Sequence, residues 1–190
     1  MARTVVVDAP GKINLTLEIL SKRKDGYHDL RSVLLPVSLY ETITVTERDD
    51  GKITLETIGE GVDTSELVAC PPEKNLAVKA AWLMKDISGT SKGCDISIVK
   101  RVPIGAGMAG GSADAAGTME ALRALWLPEV DRKQLVEPSA MLGSDIPGLL
   151  YGGAILMEGR GEIVTPLFKD GEKATDCFWL VVAFPGVAIS

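Results

Sequence analysis

The sequence predicts an α+β domain, and its patterning carries that prediction in two ways. Strand-like segments crowd the first sixty residues, and helix-like segments are then interleaved with further strands. A third observation places the function. Five glycines fall in "PIGAGMAGGSADAAG", residues 103–117, between a strand pattern and a helix pattern. At 190 residues the chain is one large domain or one and a fraction, and 46% hydrophobic residues is an ordinary share for a globular core.

The elements follow in order. "KINLTLEIL" alternates Ile13, Leu15, Leu17 and Ile19, which predicts a strand with that face half-buried. A polar turn, "SKRKDGYHDL", bends at Asp25-Gly26 before the strand "SVLLPVSL". "ETITVTERDDGKITLETI" reads as a hairpin turning at Asp49-Asp50-Gly51. "PPEKNLAVKAAWLMKDIS" is a helix, with Asn75 as its cap and Leu76, Ala80, Leu83, Met84 and Ile87 on one face. "CDISIVKRV" returns to period 2 and puts Ile96, Ile98, Lys100 and Val102 on one side. After the glycines, "SADAAGTMEALRALW" is a helix with Ser112 as expected N-cap. "DRKQLVEPSAML" is helical, kinked or restarted at Pro138. "GGAILMEGRGEIVTPL" forms a hairpin over Gly159-Arg160-Gly161, and "FWLVVAF" is expected as a buried strand.

Composition removes several functional classes. No apolar run reaches the ~18 residues of a membrane helix, and the first residues lack the apolar core of a signal peptide. Cys70, Cys94 and Cys177 have neither zinc spacing nor disulfide pairing, so reduced thiols and a cytoplasmic setting are expected. A net charge of −6 argues against nucleic-acid backbone binding. It leaves room for one small anionic ligand held by a few cations and amides.

Strand, glycines and helix start, in that order, build an anion cradle. Free amides and the helix dipole favour negative charge there, and glycine lets main chain approach phosphate oxygens. Gly105, Gly107, Gly110 and Gly111, followed by Ser112, predict phosphate binding. The spacing matches a dinucleotide fingerprint, but "LPEVDR" follows where that fold needs a second strand ending in an acid. No Gly-Lys-Ser/Thr supplies a Walker A lysine, and "GGSAD" is not a nucleophile elbow for Ser112. The cation must come from elsewhere: Lys12 in "APGKINL", or Lys100 and Arg101 at the mouth of the loop. Asp145, in the constrained turn "LGSDIP", is a candidate general base. An anion cradle, a cation and a carboxylate are the parts of a phosphoryl-transfer site.

These pieces, with "DGYH" at residues 25–28, stand in the order found in GHMP-superfamily small-molecule kinases, and the chain resembles that family over nearly its whole length. The resemblance implies the α+β N-terminal lobe of a GHMP kinase, similar to domain 2 of ribosomal protein S5, over residues 1–170. Residues 171–190 would begin a C-terminal lobe whose remainder is absent. It implies ATP and Mg²⁺ as cofactors. ATP would lie on Pro103, Ile104, Gly105, Ala106, Gly107, Met108, Ala109, Gly110, Gly111, Ser112 and Ala113, bordered by Asn75 and Lys100. Ser112 would also meet Mg²⁺. Asp145 would take the substrate proton, and Lys12 would hold that carboxylate ionised and steady the phosphoryl group. Gly26-Tyr27-His28 narrows the resemblance to members that phosphorylate the 2-hydroxyl of a cytidine diphosphate-linked methylerythritol in non-mevalonate isoprenoid biosynthesis. Asn14 would then contact that substrate, with Tyr27 stacked on cytosine and His28 bonded to its edge. Mevalonate, homoserine or a galactose-type sugar is the alternative substrate, and a silent nucleotide-binding fragment the alternative function. A chain ending at the start of the second lobe is expected to turn over weakly or not at all, and the surface left bare could let it self-associate. Pro138 and Gly148 depart from the family pattern and are expected to loosen the setting of Asp145.

Overall fold

The computed structural model describes residues 2–24, 26, 28–168 and 179–186. Among the described residues six strands form one sheet, and helices cover one of its faces. β1 (Thr4–Lys22) runs antiparallel along β2 (His28–Arg48), which is the spine of the sheet. On the opposite edge of β2, β4 (Gly93–Lys100) pairs with Thr42–Arg48 and β5 (Ile155–Gly159) pairs with Leu30–Leu34. Pro36, which has no N–H to give, falls in the gap between these two ladders. β3 (Ile53–Gly59) and β6 (Ile163–Pro166) close the two ends.

The expected hairpin at Asp49-Asp50-Gly51 is a tight link without a ladder. β3 pairs with β4, in parallel, and β4 lies between β3 and β2. Two connecting helices, α1 (Ser65–Ala69) and α2 (Leu76–Ser88), make this a crossover unit. A turn signal fixes where a chain bends; which strand fills the seat beside it depends on packing. Gly93 sets that seat, because a Cβ there would collide with the Lys52 main chain, whose carbonyl accepts the Cys94 N–H at 2.9 Å. The hairpin expected over Gly159-Arg160-Gly161 does form, from β5 and β6.

Helix α2 starts as its sequence predicts: the Asn75 side chain accepts the Ala77 N–H at 2.9 Å. α3 (Gly110–Trp126) lies across the sheet. Its Ala113, Ala115, Ala116, Met119 and Leu122 join Ile43, Val45, Ile96 and Ile98 in the main core. Small residues allow a close approach, and a Cβ at Gly117 would meet Ile43 Cδ1 at 2.7 Å and Ala9 Cβ at 3.1 Å. A 3₁₀ turn (Arg132–Leu135), α4 (Val136–Ser139) and α5 (Ile146–Tyr151) complete this layer. Pro138 sits inside α4 after the 3₁₀ turn, so the helix restarts, as one of the two expectations held.

Two strand expectations are corrected. Leu15, Leu17 and Ile19 are exposed by half or more, although they were expected to be half-buried. β1 changes phase at a bulge: its register shifts between Pro10 and Lys12, and again between Asn14 and Thr16. A one-residue shift turns a strand over, and buried positions pass from Ala9 to Lys12. Residues 179–184, expected as a buried strand, have no regular structure, and Trp179 and Val181 are fully exposed. Cys177 and Phe178 lie outside the described residues. Among the described residues no helix is long and apolar enough to cross a membrane.

Replacing Gly117 with Val forces a branched side chain between α3 and the sheet. The expected loss is roughly 1–3 kcal/mol, seen as a lower urea midpoint with an unchanged m-value.

Candidate active site

β1 meets the glycine loop at Gly11. A Cβ there would lie 3.1 Å from Val102 Cγ2 and 3.5 Å from the Met108 carbonyl oxygen. The next residue, Lys12, donates its N–H to that same carbonyl at 3.0 Å. Glycine is therefore required by close approach. The bulge it forms turns Lys12 inward, to 6% exposure. The Lys12 ammonium lies 2.6 Å from Asn14 Oδ1 and 3.8 Å from Asp145 Oδ2.

Asp145 comes to this point at the start of α5. Its side chain makes no capping bond, and its carbonyl accepts the Leu149 N–H at 3.1 Å. The short helix is anchored by Ile146, which is fully buried, and by Pro147. Gly148, expected to loosen this setting, is packed: a Cβ there would meet Ile155 Cδ1 at 2.6 Å. The β5–β6 turn braces the other side, since a Cβ at Gly161 would collide with the Ser144 carbonyl.

The glycine loop itself, residues 101–109, has no helix or strand. Gly105 (φ 75°) and Gly107 (φ 71°) adopt left-handed conformations and are exposed, and no atom lies within 4 Å of a Cβ built at Gly107. Pro103, Ile104, Ala106 and Gly110 are half-buried around them. Ser112 is not the N-cap expected: Ala109 takes that place with φ 58°, and Ser112 stands in the first turn, half-buried. The first bond of α3 runs from the Ala113 N–H to the Ala109 carbonyl at 2.9 Å. Residues 110–112 thus precede the internal ladder and present the positive end of the helix dipole. Met108 and Ala113 have buried side chains and offer only main chain. Leu76 Cδ1 lies 3.8 Å from a Cβ built at Gly111, which sets Asn75 and the start of α2 beside the start of α3.

Lys100 requires a correction. It was expected to border the nucleotide, but it is 2% exposed and its ammonium lies 2.5 Å from Glu41 Oε1 and 2.8 Å from Asp114 Oδ2. The other Glu41 oxygen accepts the Arg101 N–H at 2.7 Å, and Arg101 itself pairs with Glu60 and Thr42. A Cβ at Gly110 would press on this cluster, 3.0 Å from Glu41 Oε1 and 3.2 Å from Lys100 Nζ. Gly110 is small because it roofs a buried ion cluster. Burial pushes the Asp114 carboxyl up to about 6, opposed by Lys100 and reinforced by Glu41. Its Oδ1 has no hydrogen-bond partner. Period 2 already held the signal: Glu41 shares a buried face with Ile43 and Val45, and Lys100 shares one with Ile96 and Ile98 on the neighbouring strand.

Of the substrate-side expectations, Asn14 stands at this point and His28 stands apart from it. His28 is exposed and pairs with Lys22, at the end of β1 remote from the bulge. Tyr27 lies outside the described residues. Asn14 is beside Lys12, held by Ser32 Oγ at 2.6 Å. Sequence reasoning missed Ser32, Glu41 and Asp114. Among the described residues no group of three or more His, Cys, Asp or Glu side chains gathers as a metal site.

The GHMP kinases N terminal domain model matches residues 75–153. A 4-diphosphocytidyl-2-C-methyl-D-erythritol kinase from Alkaliphilus metalliredigens is 37% identical over 188 residues, which are 99% of this chain and 60% of that protein. A crystal structure of 4-(cytidine 5'-diphospho)-2C-methyl-D-erythritol kinase superposes with a TM-score of 0.66 at 35% identity, covering 86% of this chain and 55% of that one. Methanococcus jannaschii mevalonate kinase, 16% identical, shares the fold with a TM-score of 0.60 over 88% of this chain and 56% of its own. The chain thus spans about 60% of the length of the curated relatives it matches.

The Asp114 carboxyl predicts a pH effect whose sign is fixed. Its folded value is raised above the ordinary one of about 4, so the fold favours the protonated form. That contribution is complete below about pH 4 and is lost as the pH rises through about 6. The stability of the wild type relative to Asp114→Asn should therefore fall across that window, by roughly 1–3 kcal/mol, in urea denaturation repeated at each pH.

Proposed function

From a chain that carries a GHMP kinase N-terminal domain over residues 75–153, we propose a kinase that transfers the γ-phosphoryl group of ATP to the 2-hydroxyl of 4-diphosphocytidyl-2-C-methyl-D-erythritol. The observation that carries the proposal is the meeting of Lys12 and Asp145, 3.8 Å apart, beside the glycine loop to which Lys12 is hydrogen-bonded. In the proposed step Asp145 orients the hydroxyl and accepts its proton. The hydroxyl oxygen bonds to the γ-phosphorus as the bond to the β–γ bridging oxygen breaks, and ADP leaves. Lys12 sits where negative charge on the transferring group needs a counter-charge.

The exposed loop at Gly105 and Gly107, which has no Cβ in the way, and the main-chain donors at 110–112 fit triphosphate oxygens. Asn75 would border the nucleotide through its place beside α3. Mg²⁺ would arrive with the nucleotide, taking most of its oxygens from phosphate, with the Ser112 hydroxyl as the ligand this chain offers. It would neutralise phosphate charge. Asn14, Tyr27 and His28 are proposed as the substrate contacts. Support for the cytidine part is the Gly26-Tyr27-His28 motif together with the relatives' names. The mevalonate kinase likeness supports the fold alone.

Two measurements test the proposal. In a single-turnover assay, Asp145→Asn and Lys12→Met should each slow transfer by roughly 10²–10⁴-fold while an ATP analogue still raises the melting temperature. Transfer by Asp145→Asn at the wild-type rate would remove the base. Cytidine nucleotides should protect the protein thermally where mevalonate, homoserine and galactose do not, and protection by one of those alcohols instead would overturn the substrate.

A further inference from the structure

A polar chain runs inward from Lys12 into the sheet. Lys12 Nζ donates to Asn14 Oδ1, Asn14 Nδ2 donates to Ser32 Oγ, and Ser32 Oγ donates to the Thr16 carbonyl, each at 2.6 Å. Ser32 is completely buried in β2, opposite the second bulge of β1. At that bulge the Thr16 hydroxyl accepts the Val33 N–H at 3.1 Å, so Thr16 is clamped to β2 through both its carbonyl and its side chain.

We propose that Ser32 is a positioning residue for Lys12: it sets the orientation of the Asn14 amide, and through it the position of the ammonium that faces Asp145. The proposal rests on the kinase reading for its effect on turnover, but not for the geometry. The direction of the chain follows from donors and acceptors. The Thr16 carbonyl can only accept, so the Ser32 hydroxyl gives its one proton there and presents a lone pair to Asn14. Asn14 must answer with its NH₂, which turns its oxygen toward Lys12. Without the hydroxyl the amide is free to turn over, and its NH₂ would then confront an ammonium that has only donors. Lys12 would lose its partner and swing from its place beside Asp145. A displacement of about 1 Å at a reacting centre costs up to 10²-fold in rate.

The experiment has two arms on the full chain, with Ser32→Ala and Ser32→Thr. In the first, the Lys12 ammonium signal in a ¹⁵N-lysine spectrum, assigned by its loss in Lys12→Met, is followed for hydrogen exchange. Wild type and Ser32→Thr should show slow exchange, and Ser32→Ala should exchange at the rate of surface lysines while its circular dichroism stays native. An unchanged Lys12 signal in folded Ser32→Ala would overturn the proposal. In the second, single-turnover transfer should be roughly 10- to 100-fold slower in Ser32→Ala, with the concentrations for half-saturation by ATP and acceptor unchanged and the rate restored in Ser32→Thr. Full-rate transfer by Ser32→Ala would likewise overturn it. Should no variant, wild type included, transfer phosphate, that outcome bears on turnover by this chain alone, and the exchange arm decides the role of Ser32.

Discussion

An ammonium group with 6% exposure must have partners, and the arrangement of this site is what gives Lys12 its own. β1 could not carry the lysine inward as an even strand, because Val5, Val7 and Ala9 already occupy the positions that pack on the helices. The bulge at Gly11 reverses the phase, and the same glycine lets β1 come close enough to bond the glycine loop. Asn14 follows two residues later on the same side, and α5 brings a carboxylate from the far end of the chain. A loop, a strand and a helix start thus meet at Lys12: the loop takes its main-chain N–H, and Asn14 and Asp145 face its ammonium.

A second buried ammonium plays the opposite part. Lys100 holds Glu41 and Asp114 in the core under the first turn of α3, and Glu41 also holds the main chain of Arg101. Two carboxylates share one ammonium, and burial raises the Asp114 carboxyl despite the opposing Lys100 charge, with Glu41 adding a smaller push in the same direction. Pairs of this kind seldom add net stability over apolar packing. Here the cluster ties β2, β4 and α3 together where the loop leaves the sheet, so its effect is on where the loop begins. A charge in the loop's neighbourhood and a charge available to a ligand are different things, and Lys100 is only the first.

Much of this was legible in the residues. The helix after Asn75 with its cap and the β5–β6 turn follow from local chemistry, and the structure has them where the patterns put them, whereas the strand pattern at 179–184 forms no strand. Lys12, Asp145 and the glycine stretch were singled out by residue type and spacing, and the structure brings the three together. The face of β1 was misread because a bulge leaves no periodic trace beyond a glycine. Strand order was misread at Asp49-Asp50-Gly51 because a turn does not say what lies beside it. Ser32 was passed over, since a serine in a strand is ordinary until its neighbours are known.

The sequence by itself determined the kinds of element, the loop that could cradle an anion and the two charged residues that could serve it. Those properties reside in a few consecutive residues, where backbone sterics and side-chain period act without outside help. Tertiary structure decided which way the side chains of β1 point, which lysine is buried in the core, and which glycines are exposed (Gly105, Gly107) or filled by packing (Gly110, Gly117). Each of those outcomes depends on atoms brought close from remote parts of the chain, and contact of that kind has no counterpart in the order of residues.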